Sequence, residues 1–251
     1  MSAALRWSEN SLLAALPEDA LQRLAPNLEL VAMPLGQVLH RPGAAVRAAW
    51  FPLDSIVAKL FVMEDGHAAP IALVGREGVV GVSLFLGGAR PADLASVQSA
   101  GWGYRLPAQH LQEEFARGGA VMRVLLRYTQ ALIGQMMRTA ACNRHGTLEQ
   151  RLCRWLLLSL DRSSGGELAM THELIANGLG VRREGVTEVA SRLQRQGAIR
   201  YHRGHISVLD RALLEEQACE CYRAASRASA GSAPETAPLR LAQPQPAAVR
   251  H

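Results

Sequence analysis

Between Thr171 and Leu209 the chain reads THELIANGLGVRREGVTEVASRLQRQGAIRYHRGHISVL, and few folds accommodate that order of signals. Thr171 is a good N-cap, and Leu174, Ile175 and Leu179 give the short helix after it one apolar face. Gly178 and Gly180 are expected to break that helix, and a second helical run begins at Arg182. In it Val186, Val189, Ala190 and Leu193 recur at three- and four-residue spacing, so one face can be buried. The other face presents Arg182, Arg183, Glu184, Thr187, Glu188, Ser191 and Arg195. Two short helices across a glycine-containing turn form a helix-turn-helix. The second, over about residues 182–196, has the polar, basic face of a helix that enters the major groove of DNA.

The next residues extend the pattern. Gly197 ends the second helix, Ala198 to His202 reads as a strand, Arg203-Gly204 as a turn, and His205 to Leu209 as the returning strand. Such a hairpin is the wing of a winged helix, and it brings Arg200, Arg203 and two histidines to phosphate height. Charge agrees: from Arg182 to His205 there are six arginines against two glutamates, whereas residues 1–142 carry 12 basic and 11 acidic side chains. The whole chain is only mildly basic, at +5, so its distribution of charge says more than its total. The competing reading is an ordinary helical pair and hairpin with a solvated charged face.

A chain of 251 residues suggests two domains. It has no run of 18 apolar residues and no signal-peptide pattern, so a soluble, cytoplasmic protein without membrane contact is expected. Cys142, Cys153, Cys219 and Cys221 are expected as reduced, buried thiols. Cys219-Glu220-Cys221 lacks the two-residue spacing of zinc and redox pairs, so no metal site is expected.

Residues 8–29 carry two short helical patterns separated by Pro17 and Pro26. From Leu30 the period shortens into β-rich runs. Asp65-Gly66, between Val57–Met63 and Pro70–Val74, is a strong hairpin signal, and Leu94–Leu106 adds more strand. Residues 30–106 therefore read as a small antiparallel barrel or jelly roll. Pro107 opens a helical region, with a short helix over Gln109–Arg117 and a break at Gly118-Gly119. A long helix then runs from Ala120 to Asn143. Along it Met122, Leu125, Thr129, Leu132, Met136 and Thr139 alternate three- and four-residue steps, a heptad seam expected to join two copies of the chain. Leu126, Ile133 and Met137 are expected to widen the stripe toward the barrel; packing of the whole helix within its own subunit is the alternative.

Asn143 to Gly146 is expected as a hinge, and Thr147-Leu148-Glu149-Gln150 resembles a capping box. It opens a helix bearing Leu152, Trp155, Leu156 and Leu160 that ends before Ser163-Ser164-Gly165-Gly166. Beyond Tyr222 the chain is rich in Ala, Pro and Ser, the composition of a disordered tail. The organisation is thus α+β in two domains: a β-roll or jelly-roll barrel over 8–118, a dimerisation helix over 119–143, a C-terminal winged helix-turn-helix over 144–222, and a tail over 223–251.

Barrel, long helix, hinge and winged helix, in that order, resemble the Crp/Fnr family of bacterial transcription regulators over about residues 10–222. Gly36-Gln37-Val38-Leu39 with Gly43, Trp50-Phe51-Pro52, Asp65-Gly66 and Gly78-Val79-Val80-Gly81 look like that family's barrel landmarks, and Gly180 to Glu184 looks like its DNA-binding turn. The resemblance implies a homodimer, a cyclic-nucleotide-binding-like β-roll that senses an effector, double-stranded promoter DNA as partner, and contact with RNA polymerase. It also implies that binding can bend DNA, at an elastic cost of several kcal/mol.

Two departures shape what is expected. Cyclic-nucleotide-binding members use a Gly-Glu pair for the ribose and an Arg-Ser or Arg-Thr for the cyclic phosphate. Aligned on Gly81 and on Ala95-Ser96-Val97, those positions hold Val82 in place of the glutamate and Asp93-Leu94 in place of the arginine and its neighbour. Valine accepts no hydroxyl proton and aspartate repels phosphate. Arg90 is offset by three residues, onto the other strand face. The candidate effector pocket of Gly81, Val82, Asp93 and Leu94 is therefore not expected to take ordinary cyclic AMP. No cofactor is expected, and the effector stays unidentified. The oxygen-sensing branch carries a cluster of N-terminal cysteines, and residues 1–141 contain none. His40 and His67 are expected as surface histidines rather than haem ligands. In the recognition helix, Arg183 and Glu184 match the cyclic-AMP-responsive branch, suiting guanine O6/N7 and cytosine N4, but Glu188 stands where that branch has arginine. The DNA contacts expected are Arg182, Arg183, Glu184, Thr187, Glu188 and Arg203. A plainer role for Glu188 is a pairing with Arg192 worth about 0.2–0.5 kcal/mol.

A non-DNA signalling module, in which roll and winged helix bind a partner protein, is the alternative, and the six arginines of the second helix and wing argue against it. An enzyme is not expected, since no nucleophile elbow, phosphate loop or metal-ligand spacing is present.

Overall fold

Asn10 shows how the N-terminal segment is fastened. The computed structural model describes residues 7–64, 68–88, 90–163 and 167–222. Two short helices come first, α1 (Ser11–Ala14) and α2 (Glu18–Leu24). Asn10 caps α1: its side-chain oxygen accepts from the amides of Leu12 and Leu13, and its Nδ2 donates to the carbonyls of Pro52 and Gly78. One fully buried amide thus satisfies orphan helix donors and pins the helix to the barrel.

The strands of the barrel are β1 (Glu29–Met33), β2 (Val38–His40), β3 (Ala48–Pro52), β4 (Ile56–Val62), β5 (Ala68–Val74), β6 (Leu94–Ser99) and β7 (Gly101–Pro107). They pair antiparallel in two sheets, ordered β1-β7-β3 and β2-β6-β4-β5. The run Leu94–Leu106 is two strands rather than one, because the chain crosses between sheets at Ala100. β4 and β5 form the expected hairpin, pairing Val57 with Val74 and Val62 with Ala68. Its Asp65-Gly66 tip and His67, like Ser164-Gly165-Gly166 and the 223–251 tail, lie outside the described residues.

β4 is buried on both faces. Val57 faces the barrel interior with Val74, Val80, Ala95 and Val97. Ile56, Ala58 and Leu60 face outward, as alternation requires, and join a core with Trp155, Leu156, Ile175 and Val186 of the C-terminal half. The two halves therefore share a hydrophobic core across the outer face of the four-stranded sheet.

Pro107 precedes α3 (Ala108–Ala116), and α4 (Gly119–His145) follows it. The two stripes expected on α4 take each other's surroundings within the single chain. Leu125, Thr129, Leu132 and Thr139 are buried within the chain itself, and Met122 and Met136 are half-buried. Leu125 packs with the N-terminal helices and α3, Leu132 with the barrel valines, and Thr139 Oγ1 accepts from Arg154. Leu126, Ile133 and Met137 do not face the barrel; they are 43%, 46% and 68% exposed. The reason is geometric: three–four spacing identifies a stripe but not its cover, and the residue after each stripe position lies about 100° further round. Leu126, Gln130, Ile133 and Met137 themselves alternate four- and three-residue steps, so the exposed row is a heptad seam as well.

The expected four-residue hinge also contracts. α4 continues through His145, leaving only Gly146 and Thr147 before α5 (Leu148–Leu160). Thr147 and Gln150 form the reciprocal capping box. β8 (Glu167–Ala169), α6 (His172–Leu179), α7 (Arg183–Arg195), β9 (Ile199–His202), β10 (His205–Val208) and α8 (Arg211–Gln217) complete the chain. β8 adds a third strand to the wing, in the order β8-β10-β9; three residues are too few to leave a sequence signal. No helix among the described residues is long and apolar enough to cross a membrane.

Candidate nucleic-acid interface

The helix-turn-helix is built by local rules and placed by one aromatic ring. Thr171 caps α6, its hydroxyl accepting from the Leu174 amide. Gly180 ends the helix in the left-handed region at φ 63°. Gly178, expected as a breaker, lies inside α6; a Cβ there would stand 2.8 Å from Trp155 Cζ2, so the glycine admits the indole of α5. Arg182 is the N-cap residue of α7, with extended backbone, and α7 buries Val186, Val189, Ala190 and Leu193.

The opposite face of α7 stands in solvent, with Arg182, Arg183, Glu184, Thr187, Glu188 and Ser191 all exposed. Arg183 and Glu184 occupy its first turn, where a carboxylate also suits the positive end of the helix dipole. Thr187 is restrained: its hydroxyl donates to the Arg183 carbonyl at 3.0 Å, and His172 Nδ1 lies 3.0 Å from the Thr187 hydroxyl oxygen. With the threonine proton committed to Arg183, the imidazole is the donor to the Thr187 hydroxyl. His172 also stacks on Tyr201 of the wing at 4.1 Å between ring centroids. Burial, then the Arg183 charge, push the His172 pKa below its ordinary value, which favours the neutral ring. Glu188 lies 3.3 Å from Arg192, which also reaches Glu149 of α5 at 3.1 Å. At the wing tip Arg203 and Gly204 have φ 47° and 83°, the two positive values of a tight hairpin turn. Arg200 and Arg203 are exposed there.

The four candidate effector residues are each engaged by neighbouring parts of the chain. Gly81 begins a 3-10 turn, and a Cβ on it would stand 3.3 Å from Leu84 Cδ1 and 3.4 Å from Ala49 Cα. Val82 packs into the barrel cores, and Leu94 packs against the core shared with the C-terminal half. Asp93 meets Lys59 Nζ at 2.9 Å and His40 Nε2 at 3.1 Å. His40 is therefore a buried partner of a carboxylate and not the surface residue expected. Reading along the chain missed this trio. Its one signal was Lys59, the sole lysine, set in an apolar strand run.

A β-roll, a long helix and a winged helix-turn-helix with an exposed arginine-bearing helix define a transcriptional regulator with a helix-turn-helix DNA-binding domain. Residues 150–217 match the family model of the Crp-like helix-turn-helix domain. The chain is 31% identical over 138 residues to the transcriptional regulator LdrP of Thermus thermophilus, covering 50% of this chain and 71% of that one. Among solved structures it resembles a Crp/Fnr regulator of Thermus thermophilus at 25% identity and TM-score 0.61, over 76% of this chain and 98% of that one. A putative Crp/Fnr regulator of Eubacterium rectale superposes with TM-score 0.65 at 18% identity, over 84% of this chain and 98% of that one, a likeness of fold. The chain belongs to the Crp/Fnr family of transcriptional regulators.

Proposed function

We propose that the protein acts as a homodimer that sets α7 of each copy into successive major grooves of promoter DNA, with α4 as the shared seam. The exposed row Leu126, Gln130, Ile133 and Met137 carries this reading, because three of its four side chains are apolar, it is heptad-spaced and it leads directly into the DNA-binding domain. Two recognition helices then address half-sites about 34–36 Å apart, one helical turn.

In this reading Arg183 pairs with guanine O6 and N7 and Glu184 accepts from cytosine N4. Thr187 offers its methyl to a thymine methyl, since its hydroxyl is engaged within the protein. Arg182 and Arg203 meet phosphates and set register. Glu188, held by Arg192, supplies no cation, so the operator differs at that step from those read by an arginine. RNA polymerase is the further partner of the DNA-bound dimer.

The β-roll transmits an effector other than ordinary cyclic AMP, because the Asp93 carboxylate, placed where a phosphate would need a cation, is already held by Lys59 and His40. No resident cofactor is assigned. Selection of binding sites from a random DNA pool, with sedimentation of the complex, tests the reading. An inverted repeat with half-sites one turn apart, bound two chains per site, is expected. A single half-site bound by one chain would overturn it.

A further inference from the structure

Cysteines that belong to none of these roles meet where α4 ends. Cys142 Sγ, one turn from the end of α4, lies 3.0 Å from Cys219 Sγ, just past α8, although the two are 77 residues apart in sequence. Cys221 sits beside Cys219 and is partly exposed. No metal-binding group of three or more His, Cys, Asp or Glu residues occurs among the described residues, so the cluster is a thiol site rather than a ligand set.

Its surroundings favour sulfur chemistry. Arg154 of α5 is 7% exposed, donates to Thr139 Oγ1, and leaves Nε without an acceptor. A buried guanidinium with no carboxylate partner among the described residues calls for an anion, and Cys142, Cys219 and Cys221 are the acidic groups whose charge would act on it. The hydrogen bond from Cys142 holds the Cys219 thiol below its ordinary pKa; burial opposes this, and the Tyr222 backbone and Arg154 add to it. The same bond and burial push Cys142 up. Cys153, buried without a cation, is pushed up to about 12 and is the inert thiol of this domain. Cys142 and Arg154 also line a cavity of about 20 Å³ between α4, α5 and β5, enough for one very small polar molecule.

We propose that Cys142 and Cys219 form a hydroperoxide-reactive dithiol whose disulfide fastens the DNA-binding domain to the end of α4. The Cys219 thiolate attacks the outer peroxide oxygen; the O–O bond breaks, an S–O bond forms, and the departing oxygen takes up a proton to leave as alcohol or water. Cys142 then attacks the sulfur of the Cys219 sulfenic acid, the S–O bond breaks, and water leaves with the Cys142 proton. Two thiols are oxidised by two electrons and one peroxide is reduced. A disulfide needs its sulfurs at about 2.03–2.05 Å, so closure asks for roughly 1 Å of approach.

The consequence follows from place. The Gly146 amide donates to the Cys142 carbonyl at 2.8 Å, so the bond forms one turn from the two-residue connection between α4 and α5. Oxidation therefore fixes the recognition helix relative to the α4 seam, a consequence that rests on the DNA-binding reading above.

The full-length reduced protein is treated with hydrogen peroxide, its remaining thiols are alkylated, and the peptides are mapped. A Cys142–Cys219 link with Cys153 and Cys221 alkylated is expected. Cys142→Ser should give a dimedone-reactive Cys219 and no link, and Cys153→Ser should behave as the unaltered protein. No link, a Cys219–Cys221 link, or a link between chains would overturn the dithiol. On DNA selected with the reduced protein, oxidation should change affinity at least fivefold, reversibly, and not in Cys142→Ser or Cys219→Ser. Equal affinity of the linked and reduced forms would overturn the regulatory half. Absence of specific binding in both forms would overturn the DNA-binding reading and that half with it, while a mapped link would still establish the dithiol.

Discussion

The Asp93 carboxylate lies 2.9 Å from the Lys59 ammonium inside the β-roll, and both side chains are largely withdrawn from water. His40 Nε2 completes the contact at 3.1 Å. Taking charges out of water costs several kcal/mol per ion, and only close mutual pairing offsets it.

Removing one partner therefore strands the other. Asp93→Ala should destabilise the protein by about 3–5 kcal/mol, and Asp93→Leu with Lys59→Met should recover most of the loss. Burial alone would raise the Asp93 pKa, but the His40 hydrogen bond and the Lys59 charge outweigh it and hold the value below the ordinary 3.8. This stability is present above that ordinary value and lost as pH falls through the lower folded value. Urea midpoints taken from pH 6 downward should drop less steeply in Asp93→Asn; parallel curves would count against the pairing.

On α4, neighbouring residues should separate folding from assembly. Ile133→Glu places a charge on a side chain 46% exposed in the single chain, so the fold should survive while sedimentation shifts from dimer to monomer. Leu132→Ala, at 5% exposure, should cost about 2–5 kcal/mol and leave the dimer intact at low temperature. A monomer from the second variant and a dimer from the first would restore the interface to the buried stripe.

Two arginines should fail differently on DNA. Arg183→Ala should lose about 1–3 kcal/mol on the specific site and relax base choice at one position. Arg203→Asn suits the positive φ of 47°, so the hairpin should hold. Binding should then weaken evenly across sequences, with the log–log salt slope smaller by about 1. Filter binding against salt distinguishes the two.

Gly178 weighs propensity against packing. Alanine in a helix gains about 1 kcal/mol over glycine, but here its Cβ would meet the Trp155 ring at 2.8 and 2.9 Å. The rigid indole cannot yield cheaply, so Gly178→Ala should be a net loss of about 1–3 kcal/mol. Thermal unfolding with a higher midpoint would show that α5 and α6 can part at no cost.

Family membership and the order of elements were legible because their signals are short-range. The Thr147–Gln150 box, the Thr171 cap and the Arg203-Gly204 turn depend on hydrogen bonds and dihedrals within four residues, so they read directly from the letters. The exposed face of α7 was legible too, since its four apolar residues leave the arginines only one side. Gly178 misled because the same letter marks a helix end and a place where a ring must enter.

What only the folded molecule decided is which surfaces meet. Leu125 and Leu126 differ by one step on one helix, and nothing local says which of them finds the barrel. His40 is drawn inside by a carboxylate 53 residues on, and Cys142 reaches Cys219 across 77. Helix caps and turns are satisfied within one stretch of backbone, so the letters state them. Burial and pairing are settled between stretches that share no local hydrogen bond, and those choices exist only once the chain has packed.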